Sequence, residues 1–397
     1  MGGLRSSGEV TLISFIGKAR KEGEGRRYQK TPYRFEDGRV YEATFFGSAL
    51  AKYLGQALKR AVFVGTKGST WSELVELLPE EAQEDLLEFM ERIDSLGENV
   101  SEENLKEFQH VLEEKLSYGV DLICVSSSPD NAYEIKEKLF SVLDPVPENI
   151  AFDITHAYRY MPFVALLTVI PLKHLGTKSI TIYYGFLEMK EKEKPVLRLD
   201  ILSELINLNE ALSVFHNTGN FAELGSTLFP EHAELFRDAN FKIEINQRPR
   251  KEIDQILGLD LSGVYARSLK EEIERLSSEK YLEDRLVRRA EFFIERKQYL
   301  KAIILLSEAV LIKLYSLSGK THKTGYKSWE EIDLNSLVPE QEDRDIINIF
   351  RVLRNTVVHS SEPTRKHAGE VKSLISNEDK LRSFLIEVIS VYNKLKR

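Results

Sequence analysis

The first 200 residues alternate between short apolar runs and longer stretches with helical spacing. Short runs that are apolar throughout are typical of strands buried on both faces of a parallel sheet. Five such runs are predicted to be strands, at residues 10–17, 61–65, 121–127, 149–155 and 179–185. Strands that alternate with helices predict a doubly wound, Rossmann-like α/β domain.

One segment interrupts this alternation after the first strand. Residues 18–46 alternate aromatic and polar side chains around Asp37-Gly38. An Asp-Gly pair between alternating residues is typical of a tight hairpin turn. The segment is therefore predicted to form a two-stranded excursion.

From about residue 201 the strand pattern fades and the spacing becomes helical, with breaks near Gly219 and Pro230. One isolated strand is predicted at 241–249, and beyond about residue 269 the pattern is helical to the last residue. A further break is expected at 360–363. The second half is therefore predicted to be all-α.

The chain has 397 residues, of which 42% are hydrophobic and 30% are charged, which is typical of two or three globular domains. The richest apolar run, 163–175, is too short to span a bilayer and contains Pro171 and Lys173. The N-terminus has no secretory signal pattern, so a cytoplasmic location is expected. Cys124 is the single cysteine, which excludes an internal disulfide and a cysteine-based metal site.

The net charge of −8 argues against a protein that coats nucleic acid over its whole surface. Residues 285–327 nevertheless hold ten Lys or Arg and three acidic residues. A basic segment in an acidic chain indicates a local polyanion site. A solvated helix face is the alternative interpretation.

Small and hydroxylic residues follow the predicted strands. The positions are Gly17 after the first strand; Gly65, Thr66, Lys67, Gly68 and Ser69 after the second; Ser126 and Ser127 after the third; and Thr155, His156, Ala157 and Arg159 after the fourth. Open α/β sheets bind ligands at the carboxyl ends of their strands, and backbone amides there receive anions. A ligand that carries phosphate is predicted, although each loop alone is also explained as an ordinary turn. The chain has neither GxGxxG nor GxxxxGK[ST], so neither an ordinary dinucleotide site nor a P-loop is supported.

The run Asp153-Ile154-Thr155-His156 offers two candidate metal ligands. Two ligands are too few for a site, and no second acidic or histidine cluster stands nearby in sequence. No metal site is predicted.

In the second half, one predicted helix holds the candidate catalytic residues. Its helical spacing predicts a buried stripe of Ile346, Ile349 or Phe350, Leu353 and Val357. Arg354, Asn355 and His359 lie on the same helix. On an ideal helix five residues rotate by roughly 500°, which leaves the side chains of Arg354 and His359 about 140° apart. They converge only if the helix ends or distorts near His359, which the Ser-Ser-Glu-Pro run after it favours, or if a second chain contributes. The alternative is a surface arginine and a helix-terminal histidine bonded to the last carbonyls.

Several motifs carry a family resemblance. GTKGSTW (65–71), DITHAYRYMP (153–162), IYYG (182–185) and RNTVVH (354–359) stand in this order. The chain resembles the CRISPR-associated ribonucleases that join a CARF sensor domain to a HEPN domain and accompany type III interference complexes. RNTVVH is similar to the HEPN motif of Arg, four to six residues, and His. Ala157 stands where the family often has glycine, and alanine is strained there if φ is positive.

The resemblance implies a CARF domain at 1–200, a helical connector at 201–280 and a HEPN ribonuclease domain at 281–397. It implies a homodimer, or a higher oligomer, that binds a cyclic oligoadenylate and cuts single-stranded RNA without metal or cofactor. Cyclic tetraadenylate is the favoured activator and cyclic hexaadenylate the second. His359 would transfer a proton, Arg354 would stabilise charge on phosphorus, and Asn355 would orient its neighbours. The RNA 2′-hydroxyl would be the nucleophile, which leaves a 2′,3′-cyclic phosphate.

Two other functions stay open at this point. One is a ligand-sensing regulator that holds nucleic acid without cutting it, and the intact pair of Arg354 and His359 argues against it. The other is a sensor that also degrades its own cyclic ligand. An assay of RNA cleavage with and without ligand distinguishes the first alternative from a ribonuclease.

Overall fold

The structure is a computed structural model that describes residues 8–18, 30–128, 130–245, 247, 249–277, 279–319, 329–363 and 366–395. The chain divides into two compact units, Met1–Ile206 and Asn207–Arg397. The first unit is α/β and the second is helical, which confirms the predicted fold class.

The first unit is built on one eight-stranded sheet. Its strands are β1 (Val10–Ile16), β2 (Thr31–Arg34), β3 (Val40–Ala43), β4 (Leu58–Thr66), β5 (Gly119–Val125), β6 (Asn149–Asp153), β7 (Ser179–Gly185) and β8 (Lys194–Arg198). The strand order is β3-β2-β8-β7-β6-β1-β4-β5. The five predicted strands are the central parallel block, in which β1 pairs with β4 and with β6.

Helices cover both faces of this sheet. They are α1 (Phe46–Leu54), α2 (Glu80–Glu84), α3 (Leu87–Leu96), α4 (Glu102–Lys115), α5 (Asn131–Val142) and α6 (Tyr160–Val169). One core joins α1 and α4 to the sheet through residues such as Phe63 and Phe108, and a second core joins α5 and α6 to the opposite face through Phe15 and Phe152. The central strands are apolar throughout because both of their faces are buried.

The predicted two-stranded excursion is confirmed in the described part of its range: β2 and β3 pair antiparallel around a turn in which Gly38 has a φ of +86°. Residues 19–29 of that range lie outside the described residues. The hairpin extends the sheet because β2 pairs with β8, and β8 runs antiparallel to β7. Strand β8 was not among the predicted strands.

The second unit is formed by helices. They are α7 (Asp200–Thr218, which begins in the first unit), α8 (Ala222–Leu228), α9 (Ala233–Glu244), α10 (Arg250–Leu257), α11 (Val264–Ser277), α12 (Leu282–Glu295), α13 (Tyr299–Leu317), α14 (Leu334–Leu337), α15 (Gln341–His359), α16 (Ala368–Ile375) and α17 (Glu378–Lys394). Helices α7 to α11 share one apolar cluster, and α12 to α17 share another. The breaks expected near Gly219, near Pro230 and at 360–363 are present.

The isolated strand predicted at 241–249 is wrong, because α9 continues to Glu244. The alternation of Phe241, Lys242 and Ile243 resembles a strand. The wider spacing of Phe236, Ala239 and Asn240 places these three residues on one buried helix face.

No helix in the described ranges is long and apolar enough to cross a bilayer. Cys124 lies in β5 and is 6% exposed, and burial raises the pKa of its thiol to about 11.

Candidate functional site

A cavity of about 760 Å³ opens at the carboxyl edge of the first unit's sheet. It is bordered by the residues that follow β1, β4, β5 and β6. The predicted residues that line it are Gly17, Thr66, Gly68, Ser69, Ser127, Thr155, His156 and Ala157. The sheet thus brings together loops that are far apart in sequence, as the ends of parallel strands require.

The loop after β4 is held as a tight turn. The Ser69 amide donates to the Thr66 carbonyl at 3.0 Å, and the Thr66 amide donates to Ser69 Oγ at 2.9 Å. Ser69 Oγ donates to the Ile16 carbonyl at 2.8 Å, which ties this loop to the end of β1. The Ser69 hydroxyl therefore shapes the loop.

The loop after β6 is anchored by a buried carboxylate. Asp153 Oδ2 accepts from Ser14 Oγ at 2.6 Å, and its Oδ1 accepts from the Thr155 amide at 2.7 Å. The Gly185 amide donates to Thr155 Oγ1 at 2.9 Å, which connects this loop to the end of β7. Burial raises the pKa of Asp153 to about 6, although both hydrogen bonds favour the charged form.

His156 is buried between the cavity and α1. Its Nε2 accepts from the Phe46 amide at 3.2 Å, and the ring of Phe45 lies 5.3 Å away between centroids. Burial lowers the pKa of His156 to about 4, so the ring is neutral at pH 7. Since Nε2 accepts, the proton of the neutral ring is on Nδ1. His156 therefore contributes no positive charge to a bound phosphate.

Ala157 lines the cavity with a φ of +75°, in the left-handed region. This is the conformation in which the family's glycine would be unstrained. The methyl group of Ala157 makes that conformation unfavourable by roughly 1 kcal/mol or more. The backbone of the loop is thus held by its surroundings.

Four predicted ligand residues do not line this cavity: Gly65, Lys67, Ser126 and Arg159. Gly65 has a packing role, because a Cβ on it would lie 2.5 Å from Ile16 Cγ2. The Ser126 amide donates to Glu134 Oε2 at 2.9 Å. Lys67 and Arg159 are exposed on the surface of the unit.

Sequence reasoning missed the part of the cavity that the added strands supply. Thr31 and Tyr33 come from β2, and Lys194 comes from β8. Lys18, Glu98 and Glu188 are further charged residues of the lining. Loop motifs alone could not identify Thr31, Tyr33 and Lys194, because their positions depend on the pairing of β2 with β8.

In the helical unit, Arg354 and His359 meet within one chain. Arg354 Nη1 lies 3.1 Å from His359 Nε2 and donates to Asn355 Oδ1 at 3.1 Å. A guanidinium only donates, so His359 Nε2 is the acceptor in this arrangement. The three predicted catalytic residues therefore form one cluster.

The contact forms because α15 ends at His359. Ser360 follows with a φ of +50° and a ψ of +38°, and the Ser361 amide donates to the Thr356 carbonyl at 3.1 Å. A left-handed residue after the last turn is a common helix terminator, although glycine is usual there. The long arginine side chain spans the remaining angle, so a second chain is not needed for this contact.

The basic segment 285–327 makes many contacts within the helical unit. Arg288 pairs with Glu279 and Glu291, and Lys297 pairs with Glu378. Arg296, Lys301 and Lys313 lie over aromatic rings. These contacts favour the interpretation of a folded basic face. Lys320, Lys323 and Lys327 lie outside the described residues.

Within the described ranges, no group of three or more His, Cys, Asp or Glu side chains is placed to hold a metal ion.

Residues 11–187 match the family model described as CRISPR system endoribonuclease Csx1, CARF domain. The match covers the sheet from the second residue of β1 to the end of β7, with the loops that follow β1, β4, β5 and β6. The N-terminal unit carries a CARF domain. The resemblance of this unit to CARF sensors is thereby confirmed.

Among solved structures, the Csm6 of Enterococcus italicus, solved with cyclic hexa-2′-fluoro-hexa-dAMP bound, is similar at a TM-score of 0.37 and 12% identity. The alignment covers 97% of this chain and 95% of that one. No curated protein matches the chain in sequence. The CARF assignment therefore rests on the family model and on the geometry of the sheet.

Proposed function

We propose that this protein is a homodimeric endoribonuclease of CRISPR antiviral defence that is activated by a cyclic oligoadenylate and cuts single-stranded RNA. The observation that carries the proposal is the pairing of Arg354 with His359 at the end of α15, in a chain whose first unit carries a CARF domain. The helical unit over 281–397 is assigned as a HEPN domain on this motif.

The CARF cavity suits a ligand with several phosphates and adenines. Backbone and hydroxyl donors of Gly68, Thr66 and Ser127 line it, and Lys18 and Lys194 add positive charge. Tyr158 also lines it and is 57% exposed, which offers an aromatic face on which adenine can stack. We favour cyclic tetraadenylate as the activator, with cyclic hexaadenylate second.

A second copy of the chain is the partner we propose for α6. This helix is apolar on all sides: Ala165 and Val169 are buried, whereas Phe163 is 62% and Leu167 is 53% exposed. A helix of this kind is usually covered on both faces. Because Tyr158 joins the cavity and precedes α6, a two-fold contact through α6 would bring two cavities together for one cyclic ligand.

The proposed chemistry uses the side chains at the end of α15. When RNA binds, the guanidinium of Arg354 turns from His359 to the scissile phosphate. His359 Nε2 is then available to accept the proton of the 2′-hydroxyl. The 2′-oxygen attacks phosphorus and forms the 2′,3′-cyclic phosphate as the bond from phosphorus to the 5′-oxygen breaks, and the departing 5′-oxygen takes up a proton from water. Arg354 stabilises the charge that develops on the phosphoryl oxygens, and Asn355, whose Oδ1 accepts from Arg354 Nη1, orients the guanidinium. The reaction needs no metal in this scheme.

The decisive experiment measures cleavage of a labelled single-stranded RNA with a panel of cyclic adenylates of different ring size. We expect little cleavage without ligand and strong activation by one ring size. Cleavage that is equally fast without any cyclic adenylate would contradict the switch, and the absence of cleavage with every ring would contradict the nuclease assignment. Binding of RNA without cleavage would favour the regulator.

A further inference from the structure

One side chain of the CARF cavity carries a negative charge, which is unfavourable beside a bound phosphate. Glu98 lies between α3 and α4 and lines the same cavity as the loop after β4. A Cβ added to Gly68 would lie 2.5 Å from Glu98 Oε1 and 3.1 Å from its Cδ. The carboxylate therefore lies directly against the Cα of Gly68, in space that any larger residue at position 68 would fill.

Position 68 is where the loop is best suited to an anion. The turn is closed by the hydrogen bond from the Ser69 amide to the Thr66 carbonyl, which uses neither of the two central amides, those of Lys67 and Gly68. Successive backbone amides of this kind form an anion-binding concavity. A carboxylate beside them repels the phosphate that they would attract.

Glu98 also pairs with Lys18, a cation of the lining. Its Oε1 lies 3.7 Å from Nζ of Lys18, and both side chains are more than half exposed, at 65% and 57%. The pair is therefore solvated and exchangeable. A ligand phosphate that moved the carboxylate away from Gly68 could take its place beside Lys18.

We propose that Glu98 is a specificity-determining residue: it is an anionic gate that disfavours phosphate compounds unless they make enough other contacts to displace it. This inference rests on the proposed ligand site. A mononucleotide makes few contacts and does not offset the repulsion. A cyclic oligonucleotide that touches several loops does, so it still binds at concentrations at which the small nucleotides that share its chemistry are excluded.

The test compares Glu98→Gln, which keeps the shape and removes the charge, with Glu103→Gln as a matched control. Glu103 is an exposed glutamate of α4 that does not line the cavity. Binding of AMP and of cyclic tetraadenylate to the full-length protein is measured by calorimetry at low and at high salt. Thermal unfolding of each variant checks that its fold is retained.

We expect Glu98→Gln to bind AMP roughly fivefold more tightly than the wild type, which is the effect of one charge about 4 Å away in water. The gain should shrink at high salt, because the pair is exposed, and Glu103→Gln should match the wild type. Unchanged affinity for AMP would overturn the gate. Weaker binding would overturn it as well, and would indicate that Glu98 accepts hydrogen bonds from the ligand. A wild type that binds none of the cyclic adenylates would contradict the proposed activator, whereas the AMP comparison would still decide the gate.

Discussion

Among the described residues, four that are not glycine have a positive φ: Ala157, Lys297, Ser360 and His367. Two of them belong to the candidate sites. Ala157 lines the CARF cavity, and Ser360 ends the helix that carries His359. Strained backbone persists only where the surrounding structure holds it, and such positions cluster at functional sites.

The strain at Ala157 leads to a prediction about stability. Replacing Ala157 with Gly should raise the free energy of unfolding by about 1 kcal/mol, because glycine has no methyl group to clash at a φ of +75°. Chemical denaturation monitored by circular dichroism measures the change. Ala165→Gly in α6 is the control and should destabilise, since glycine is unfavourable inside a helix. A loss of stability in Ala157→Gly would show that the methyl group packs usefully.

A second prediction concerns His359. His359→Ala should abolish RNA cleavage and leave both the fold and the affinity for cyclic tetraadenylate unchanged, because the side chain is exposed at the end of α15. Cleavage of labelled RNA and thermal unfolding are the measurements. His232→Ala, another partly exposed histidine of the helical unit, should cleave like the wild type. Activity that survives His359→Ala would remove the HEPN assignment of this site.

The two buried titratable groups of the CARF loop have opposite effects on stability as pH falls. Burial raises the pKa of Asp153 from its ordinary 3.8 to about 6, so the folded state gains stability from this group as pH falls through 6 toward 4. Burial lowers the pKa of His156 from 6.5 to about 4, so the folded state loses stability from this group as pH falls through the same window. Each shift corresponds to roughly 3 kcal/mol, so the two contributions largely cancel.

Asp153→Asn should therefore reveal how His156 alone changes the free energy of unfolding with pH. Between pH 6.5 and 4 this variant should lose up to roughly 3 kcal/mol more unfolding free energy than the wild type, because only the loss from His156 remains. Urea unfolding at several pH values gives the two curves. Parallel curves would mean that Asp153 is not protonated in this window.

At the residue scale, the sequence predicted which loops meet but not the role of each side chain. Thr155 and His156 were expected to contact ligand directly. Thr155 Oγ1 accepts from the Gly185 amide and His156 Nε2 from the Phe46 amide, so both also hold the loop in place. Such partners come from other strands and helices, and no local pattern identifies them.

At the scale of elements, α6 is an apolar helix that leaves some of its large apolar side chains exposed within the chain. We predict that Phe163→Glu combined with Leu167→Glu converts the proposed dimer to a monomer and strongly weakens cyclic tetraadenylate binding, because the carboxylates would be buried without partners at the proposed interface. Light scattering after gel filtration gives the mass. Phe241→Glu is the control, since Phe241 is 61% exposed and Phe163 is 62% exposed. A wild type that elutes as a dimer together with a double variant of the same mass would place the interface elsewhere.

Buried strands were predictable because their apolar runs are continuous, and the Asp-Gly turn identified the hairpin. Strand β8 was not predictable in the same way, since only Val196 of its five residues is buried. The convergence of Arg354 and His359 was predicted only conditionally. It depends on the residue at which α15 ends, and helix ends are the least certain part of a sequence-based assignment.

At the scale of the whole molecule, the proposed chemistry predicts how cleavage responds to chelators. RNA cleavage should persist in excess EDTA, because proton transfer by His359 and charge stabilisation by Arg354 do not require a metal ion. The assay uses activated wild-type protein, with a magnesium-dependent nuclease as the control that must lose activity. Loss of cleavage that Mg²⁺ or Mn²⁺ restores would indicate a different active site.

Because its single cysteine, Cys124, is buried, the folded chain should react very little with thiol reagents. Cys124 is 6% exposed, and a thiol with a pKa of about 11 is almost entirely protonated at neutral pH. A cysteine introduced at an exposed site, for example by Glu103→Cys, would thus be the one position that a maleimide dye modifies in the folded protein. Fluorophores placed in this way on two chains would report their separation as ligand is added, without any need to remove the native residue first.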